Sequence, residues 1–267
     1  LDELWTPSRH AQEILARVTS IPVTHVPIPI LVNPAPLNRH DFDLPEDRFI
    51  FFFSVNPASS VARKNPFGLI EAYKHAFAQT QQAPLLLIKL QHPQKHPAIA
   101  AKLREALDEI GGILLEKHYD RAQMLALMAL SDCIVSLHRA EGFGLIMAEA
   151  MALGKPVIAT AYSGNMDFMT ADNSFPVRFA LREISMDDHT LQPAMARVYT
   201  PGQHWAEPDT LHAAELMKYV VEHPQEAQVR AASAKRDMAA GWSVDAVAER
   251  VRQRLAQIVE SRGNHAE

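Results

Sequence analysis

Two carboxylates stand eight positions apart in HRAEGFGLIMAEAMALG, residues 138–154: Glu141 before a Gly-Phe-Gly turn, and Glu149 within the apolar helix that the turn opens. Glu149 shares its predicted helical face with Leu145, Ile146, Ala152 and Leu153, at three- and four-residue spacings. If that face is buried, something must receive the charge, because an unpaired carboxylate there costs as much as a broken buried ion pair. Two hydroxyl donors, such as a ribose diol, offset much of that at roughly 1.5–3 kcal/mol per charged hydrogen bond. A core Arg, Lys or backbone N–H would also serve. Gly142 and Gly144 let backbone N–H groups approach a ligand at the helix N-terminus, which favours a phosphate or a polarised sugar hydroxyl. A second pair, Arg63 and Lys64 in ARKNPF, places two cations in a loop between a strand and a helix. Such cations suit a diphosphate, which Arg can hold bidentately, although alone they read as a solvated loop pair.

These groups can meet only if the chain brings several strand ends together. Short apolar runs read as buried strands: RFIFFFSV (48–55), PLLLIKL (84–90), ILLEK (113–117), CIVSLH (133–138) and PVIAT (156–160). Helical patterns separate them. One spans 65–80, with Asn65 as N-cap and Pro66 at the first helical position; the others are 97–112, 120–131 and the Glu149 helix ended by Gly154. Continuous apolar strands alternating with helices predict an α/β fold, a Rossmann-like doubly wound parallel sheet covered on both faces. Ligands of such sheets bind outside the carboxyl ends of the strands, where Glu141 and Arg63-Lys64 fall. Residues 181–204 read as a long connection, and three helices are predicted near 208–222, 224–240 and 243–260. The start differs: a short strand, a helix capped by Ser8, and then the proline-dense IPVTHVPIPILVNPAP, which reads as a linker.

The 267 residues are 48% hydrophobic and 21% charged with net charge -5, so no electrostatic hold on nucleic acid or an anionic membrane is expected. The single cysteine, Cys133, reads as a buried strand thiol. No apolar run reaches the roughly 18 residues of a membrane span, and a cytoplasmic protein is expected.

In context, Glu141-x7-Glu149 and EGFGLIMAEAMALGKPVIAT, with ARKNPFGLIEAY after the first strand, resemble retaining GT-B glycosyltransferases of group 1, specifically their C-terminal domain. The resemblance spans about residues 46 to 180 and extends loosely over the closing helices; LHRAEGFGL is closest to bacterial members that assemble surface polysaccharide. It implies that the chain is the C-terminal half of a GT-B fold and binds a nucleoside diphosphate sugar. On that resemblance Arg63 and Lys64 hold the donor diphosphate, Glu149 binds the ribose hydroxyls, and Glu141 contacts the transferred sugar or its oxocarbenium-like transition state. Backbone amides around Gly142, Phe143, Gly144 and Leu145 hold sugar or phosphate oxygens. The base lies near Lys117, His118 and Tyr119, and the loop from Ser163 closes over the donor. Residues 1–30 become the tail of a missing N-terminal acceptor domain with its linker, and 31–267 the nucleotide-sugar-binding domain. The chain alone is then expected to be inactive or nearly so. The acceptor, a glycan or lipid-linked glycan, would meet the missing domain, as would the inner face of the membrane. A nucleotide-sugar epimerase of the same architecture and a non-catalytic binding module are the alternatives.

No cofactor or metal is expected. Asp41-Phe42-Asp43 spells a metal-binding Asp-x-Asp but precedes the first strand, and His92 and His96 flank Pro93, which breaks a helical pair. His138 reads as a satisfied core histidine, and MLALM (124–128) as core.

Overall fold

The computed structural model describes residues 2–185, 198–200 and 202–263, with side chains to 260. Six strands form one parallel sheet: β3 (Ile50–Val55), β4 (Leu85–Leu90), β5 (Ile113–Leu115), β6 (Cys133–Ser136), β7 (Val157–Thr160) and β8 (Phe175–Val177), in the order β5-β4-β3-β6-β7-β8. From β3 the chain steps outward to β4 and β5, then returns to lay β6 on the other side of β3. The gap between β3 and β6 is therefore the topological switch point, where the loops leaving two neighbouring strands diverge and open a crevice.

Side-chain alternation explains why these strands are apolar throughout. On β3, Phe51, Phe53 and Val55 face one core, packed by α3 (Pro66–Phe77), α4 (Pro97–Asp108) and α7 (Thr210–Glu222). Ile50 and Phe52 face the other, packed by α5 (Arg121–Leu130), α6 (Leu145–Ala152) and α8 (Pro224–Gly241). Both faces are dry, so both alternation classes must be hydrophobic. Local signals then set the helix ends. Asn65 accepts from Gly68 N–H as the N-cap of α3, with Pro66 at its first position. Asp120 and Gln123 form a reciprocal capping box on α5.

Two expectations need correction. The proline-dense linker contains a strand: β1 (Leu4–Thr6) and β2 (Val23–His25) pair in parallel, joined by α1 (Arg9–Ala16), which Ser8 caps. From Ile30 onward the chain packs on the sheet, with Ile30 and, farther along, Phe42 and Leu44 buried in the second core. The 181–204 connection is half of a hairpin, in which β9 (Phe179–Glu183) pairs antiparallel with β10 (His204–Pro208); residues 186–197 lie outside the described residues. The closing helices fall where expected, ending with α9 (Val244–Gly263). Ile30 N–H donates to the Trp242 carbonyl at 2.8 Å, and Arg254 on α9 grips Glu3 with both Nε and Nη2.

Candidate functional site

The two loops that leave the switch point are stitched together. After β3, Ser60 caps α2 (Val61–Lys64), and Asn65 turns the chain in left-handed geometry at φ 56°, which its short polar side chain tolerates. Asn65 Nδ2 donates across to the Leu137 carbonyl at 3.0 Å, and Arg139 N–H returns a bond to the Arg63 carbonyl at 2.8 Å. Arg63 and Lys64 are thereby fixed beside Glu141, which is only 9% exposed. Lys64 Nζ pairs with Glu141 Oε1, and Arg63 Nη1 lies 3.3 Å from Oε2. Arg63 also donates to the Ala140 carbonyl at 2.6 Å and to that of Ser59 at 2.9 Å. Burial raises the Glu141 carboxyl, but the charges of Lys64 and Arg63 outweigh it and hold it below the usual carboxylate range.

Behind Glu141 the support is polar and closed. Glu141 N–H donates to Ser163 Oγ at 2.8 Å, and the Ser163 hydroxyl donates to the Tyr162 carbonyl. Ser163, read from the sequence as part of a donor-closing loop, thus positions Glu141. His138 is fully buried, with Nδ1 3.1 Å from Ser136 Oγ and Nε2 3.1 Å from Asn165 Oδ1. Burial lowers its pKa against the opposing charge of Glu141, leaving a satisfied core imidazole. Gly164 packs so closely that a Cβ there would fall 2.3 Å from the Gly142 carbonyl oxygen. Gly164→Ala is therefore expected to push the Gly142 loop out and destabilise the chain by about 1–3 kcal/mol, read by urea denaturation; a variant as stable as the parent would show that the loop yields freely.

Gly144, at φ 94°, is the N-cap of α6. The first bond of that helix is Ala148 N–H to the Gly144 carbonyl, so the N–H groups of its first turn, ahead of Ala148, have no intrahelical partners. Phe143 turns its ring inward, 6% exposed and 5.3 Å from Phe168, so only its backbone is available to a ligand. The Gly142 carbonyl accepts from Ser8 Oγ, which docks the β1-α1-β2 unit against the site loop.

Glu149 is 6% exposed and faces a cleft of about 390 Å³ together with Leu145, Ile146, His118, Tyr119 and Arg121. Its charge meets Arg121, whose Nη2 lies 2.6 Å from Oε1. Burial raises the Glu149 carboxyl, and Arg121 only partly counters it. The guanidinium is 58% exposed and donates also to the Leu31 carbonyl at 3.2 Å. Tyr119 is half-buried, its ring edge-on to Phe42 at 5.3 Å. Lys64, Glu141 and Gly144 share a small second cavity with Leu145 and Ile146, which also line the cleft, so the two recesses adjoin.

The structure thus gathers the sequence-derived residues into two adjoining recesses. Sequence reading passed over Arg121 and Lys89, both on the cleft, and Arg139, which binds Glu207 at 2.8 and 3.1 Å and ties the β9-β10 hairpin to the site. Lys89 alone carried a signal, as the single charge in an apolar strand. Among the described residues no cluster of three or more His, Cys, Asp or Glu side chains is placed to hold a metal, and no helix is long and apolar enough to cross a membrane.

Comparison with known proteins bears on this arrangement. The profile of the family described as glycosyl transferases group 1 matches residues 36–175, which include both strand-end loops and the cleft helices. Among curated proteins none matches the chain. Sucrose-phosphate synthase from Thermosynechococcus elongatus superposes with a TM-score of 0.67 at 20% identity, covering 97% of this chain and 59% of that one. A glycosyltransferase from Rickettsia africae ESF-5 gives 0.71 at 15% identity, covering 97% and 64%. HepE of Anabaena, solved with UDP and glucose, gives 0.70 at 17% identity, covering 96% and 63%. The chain therefore spans about three-fifths of the length of these neighbours, and its architecture is the C-terminal half of a GT-B fold. The family match extends over more than half of the sequence, and the chain belongs to the group 1 glycosyl transferases.

Proposed function

We propose that this chain is the nucleotide-sugar-binding part of a retaining glycosyltransferase that moves a sugar from a nucleoside diphosphate to an acceptor hydroxyl. One observation carries the reading: two cations and a carboxylate converge at the switch point, beside a cleft floored by a second buried carboxylate. A diphosphate entering there meets Arg63, Lys64 and the N–H groups of the first turn of α6, which take up the charge that develops as the leaving group departs. Engagement of the cations frees Glu141 toward the sugar. Glu149, buried at the cleft and paired there only with the largely exposed Arg121 guanidinium among the described residues, receives the ribose hydroxyls. The UDP and glucose bound in HepE support this class of donor. The acceptor, a glycan or lipid-linked glycan in polysaccharide synthesis, meets the domain that precedes this one. The chain alone then binds donor and transfers little, in the cytoplasm and without a metal.

The test is calorimetric titration of UDP, GDP, CDP and ADP, beside the corresponding monophosphates. Diphosphates should bind more tightly, by about tenfold for one extra charge-assisted contact set. Failure of every diphosphate to bind both this chain and the longer protein would overturn the proposal.

A further inference from the structure

Lys89 is an ionisable group that the proposed chemistry leaves without a role. It sits on β4, next to Ser54 of β3 and Leu115 of β5 in the sheet register. Strand alternation puts it on the same face as Leu85 and Leu87, which pack in the core under α5 and α6. Its side chain, in a residue 3% exposed, lines the Glu149 cleft and not the small cavity shared by Lys64 and Glu141. An ammonium carries three donors. One goes to the neighbouring Leu90 carbonyl at 2.5 Å, and the charge lies 5.7 Å from the centre of the Tyr119 ring. Among the described residues no carboxylate is within ion-pairing distance of it. Burial lowers its pKa, opposed only by the more distant charge of Glu116. A buried cation with donors to spare, at the foot of a cleft and beside an aromatic ring, is poised for an acceptor oxygen brought by the ligand.

We propose that Lys89 reads the exocyclic oxygen of the donor's base, O4 of uracil or thymine or O6 of guanine, and so rejects the bases that carry an amino group there. This assignment rests on the nucleotide-sugar reading of the cleft. The chemistry is one-sided. A carbonyl completes the ammonium's hydrogen bonding, whereas the amino group of cytosine or adenine presents donor to donor and strands the cation. A site built to hydrogen-bond one group discriminates strongly against an analogue that cannot return the bond. The diphosphate is handled elsewhere, by Arg63 and Lys64.

The experiment compares UDP with CDP, and GDP with ADP, by calorimetry on the parent chain, Lys89→Met and Lys89→Gln. Each member of a pair differs at the position in question while the diphosphate stays the same. The parent should prefer the carbonyl member of one pair by at least about tenfold. Lys89→Met should bring that ratio to within about threefold by weakening the carbonyl nucleotide, with Lys89→Gln, able to donate but uncharged, falling between. Removing a buried cation should leave the fold intact, and the urea midpoint of each variant checks this. Binding without preference in the parent overturns the assignment, as does an equal loss for every nucleotide in Lys89→Met, which would put the ammonium on the phosphates. Absence of binding by any nucleotide overturns the cleft reading itself, and this assignment falls with it.

Discussion

Replacing Arg63 and Lys64 together with alanine should destabilise the chain by about 3–5 kcal/mol, the range for removing the partner of a buried ion. Glu141 is 9% exposed and has both cations as its ion partners, so the double change leaves its charge shielded from water without compensation. Adding Glu141→Gln to the double variant should restore most of the loss, because the unpaired charge goes with it. Glu141→Gln alone should cost about 1 kcal/mol or less, since Arg63 and Lys64 are each 19% exposed and can still reach solvent. Urea denaturation of the four proteins closes the cycle. The acid limb adds a second readout. The folded Glu141 carboxyl is held below its unfolded value, so its contribution to stability is present above the unfolded pKa and disappears as pH falls through the folded one. The double variant should lack that component. A double variant as stable as the parent would mean that the Glu141 charge is paired in some other way.

Glu149→Gln should act in the opposite sense: a more stable chain at neutral pH and a weaker grip on nucleotide, by roughly tenfold to a hundredfold for about 1.5–3 kcal/mol of charged hydrogen bonding. Burial raises the folded Glu149 carboxyl, with Arg121 countering it incompletely. A raised carboxyl stabilises the fold below the unfolded pKa, and that contribution is lost as pH rises through the folded value. Above it the carboxylate is a burden on the apo chain, and the amide removes it. The gain should grow as pH rises through the folded value and vanish in acid, while nucleotide binding to the parent weakens as Glu149 takes up its proton. Denaturation midpoints and titrations across that pH window check both halves. A destabilised Glu149→Gln would show that the Arg121 contact is a net structural asset and that the carboxylate is not held in readiness for a ligand.

The central strands and their helices were legible because their patterns are redundant. Phe51, Phe52 and Phe53 can form only a strand buried on two sides, and Asn65-Pro66 marks a helix start in two ways. What escaped is informative. Strand β8 contains Pro176, which argues against a strand from sequence; it lies at the sheet edge, where a missing N–H is tolerated. All five residues of β9 are exposed, so it has no apolar alternation to detect. At the site, Glu141 and Glu149 announced themselves as carboxylates in apolar surroundings. Their partners did not, because Arg121 meets Glu149 across the cleft between two helices, and a guanidinium at the start of a helix looks like any solvated surface charge. Lys89 could have been found, since its strand position fixes its face, but one charge near the end of an apolar run reads as a side chain escaping to water.

The grip of Arg254 on Glu3 joins residues 251 positions apart. Contacts at such separation close the largest loops and form late, once more local structure has shortened the effective path. The β1-α1-β2 unit precedes every other described element, yet one of its partners lies on α9, the last of them. Ser8 can dock on the Gly142 loop as soon as α6 is in place, but the Glu3 contact must wait until the whole sheet and the closing helices have been made. For this one contact, order of manufacture and order of completion run in opposite directions: the partner made first is gripped only when the one made last arrives.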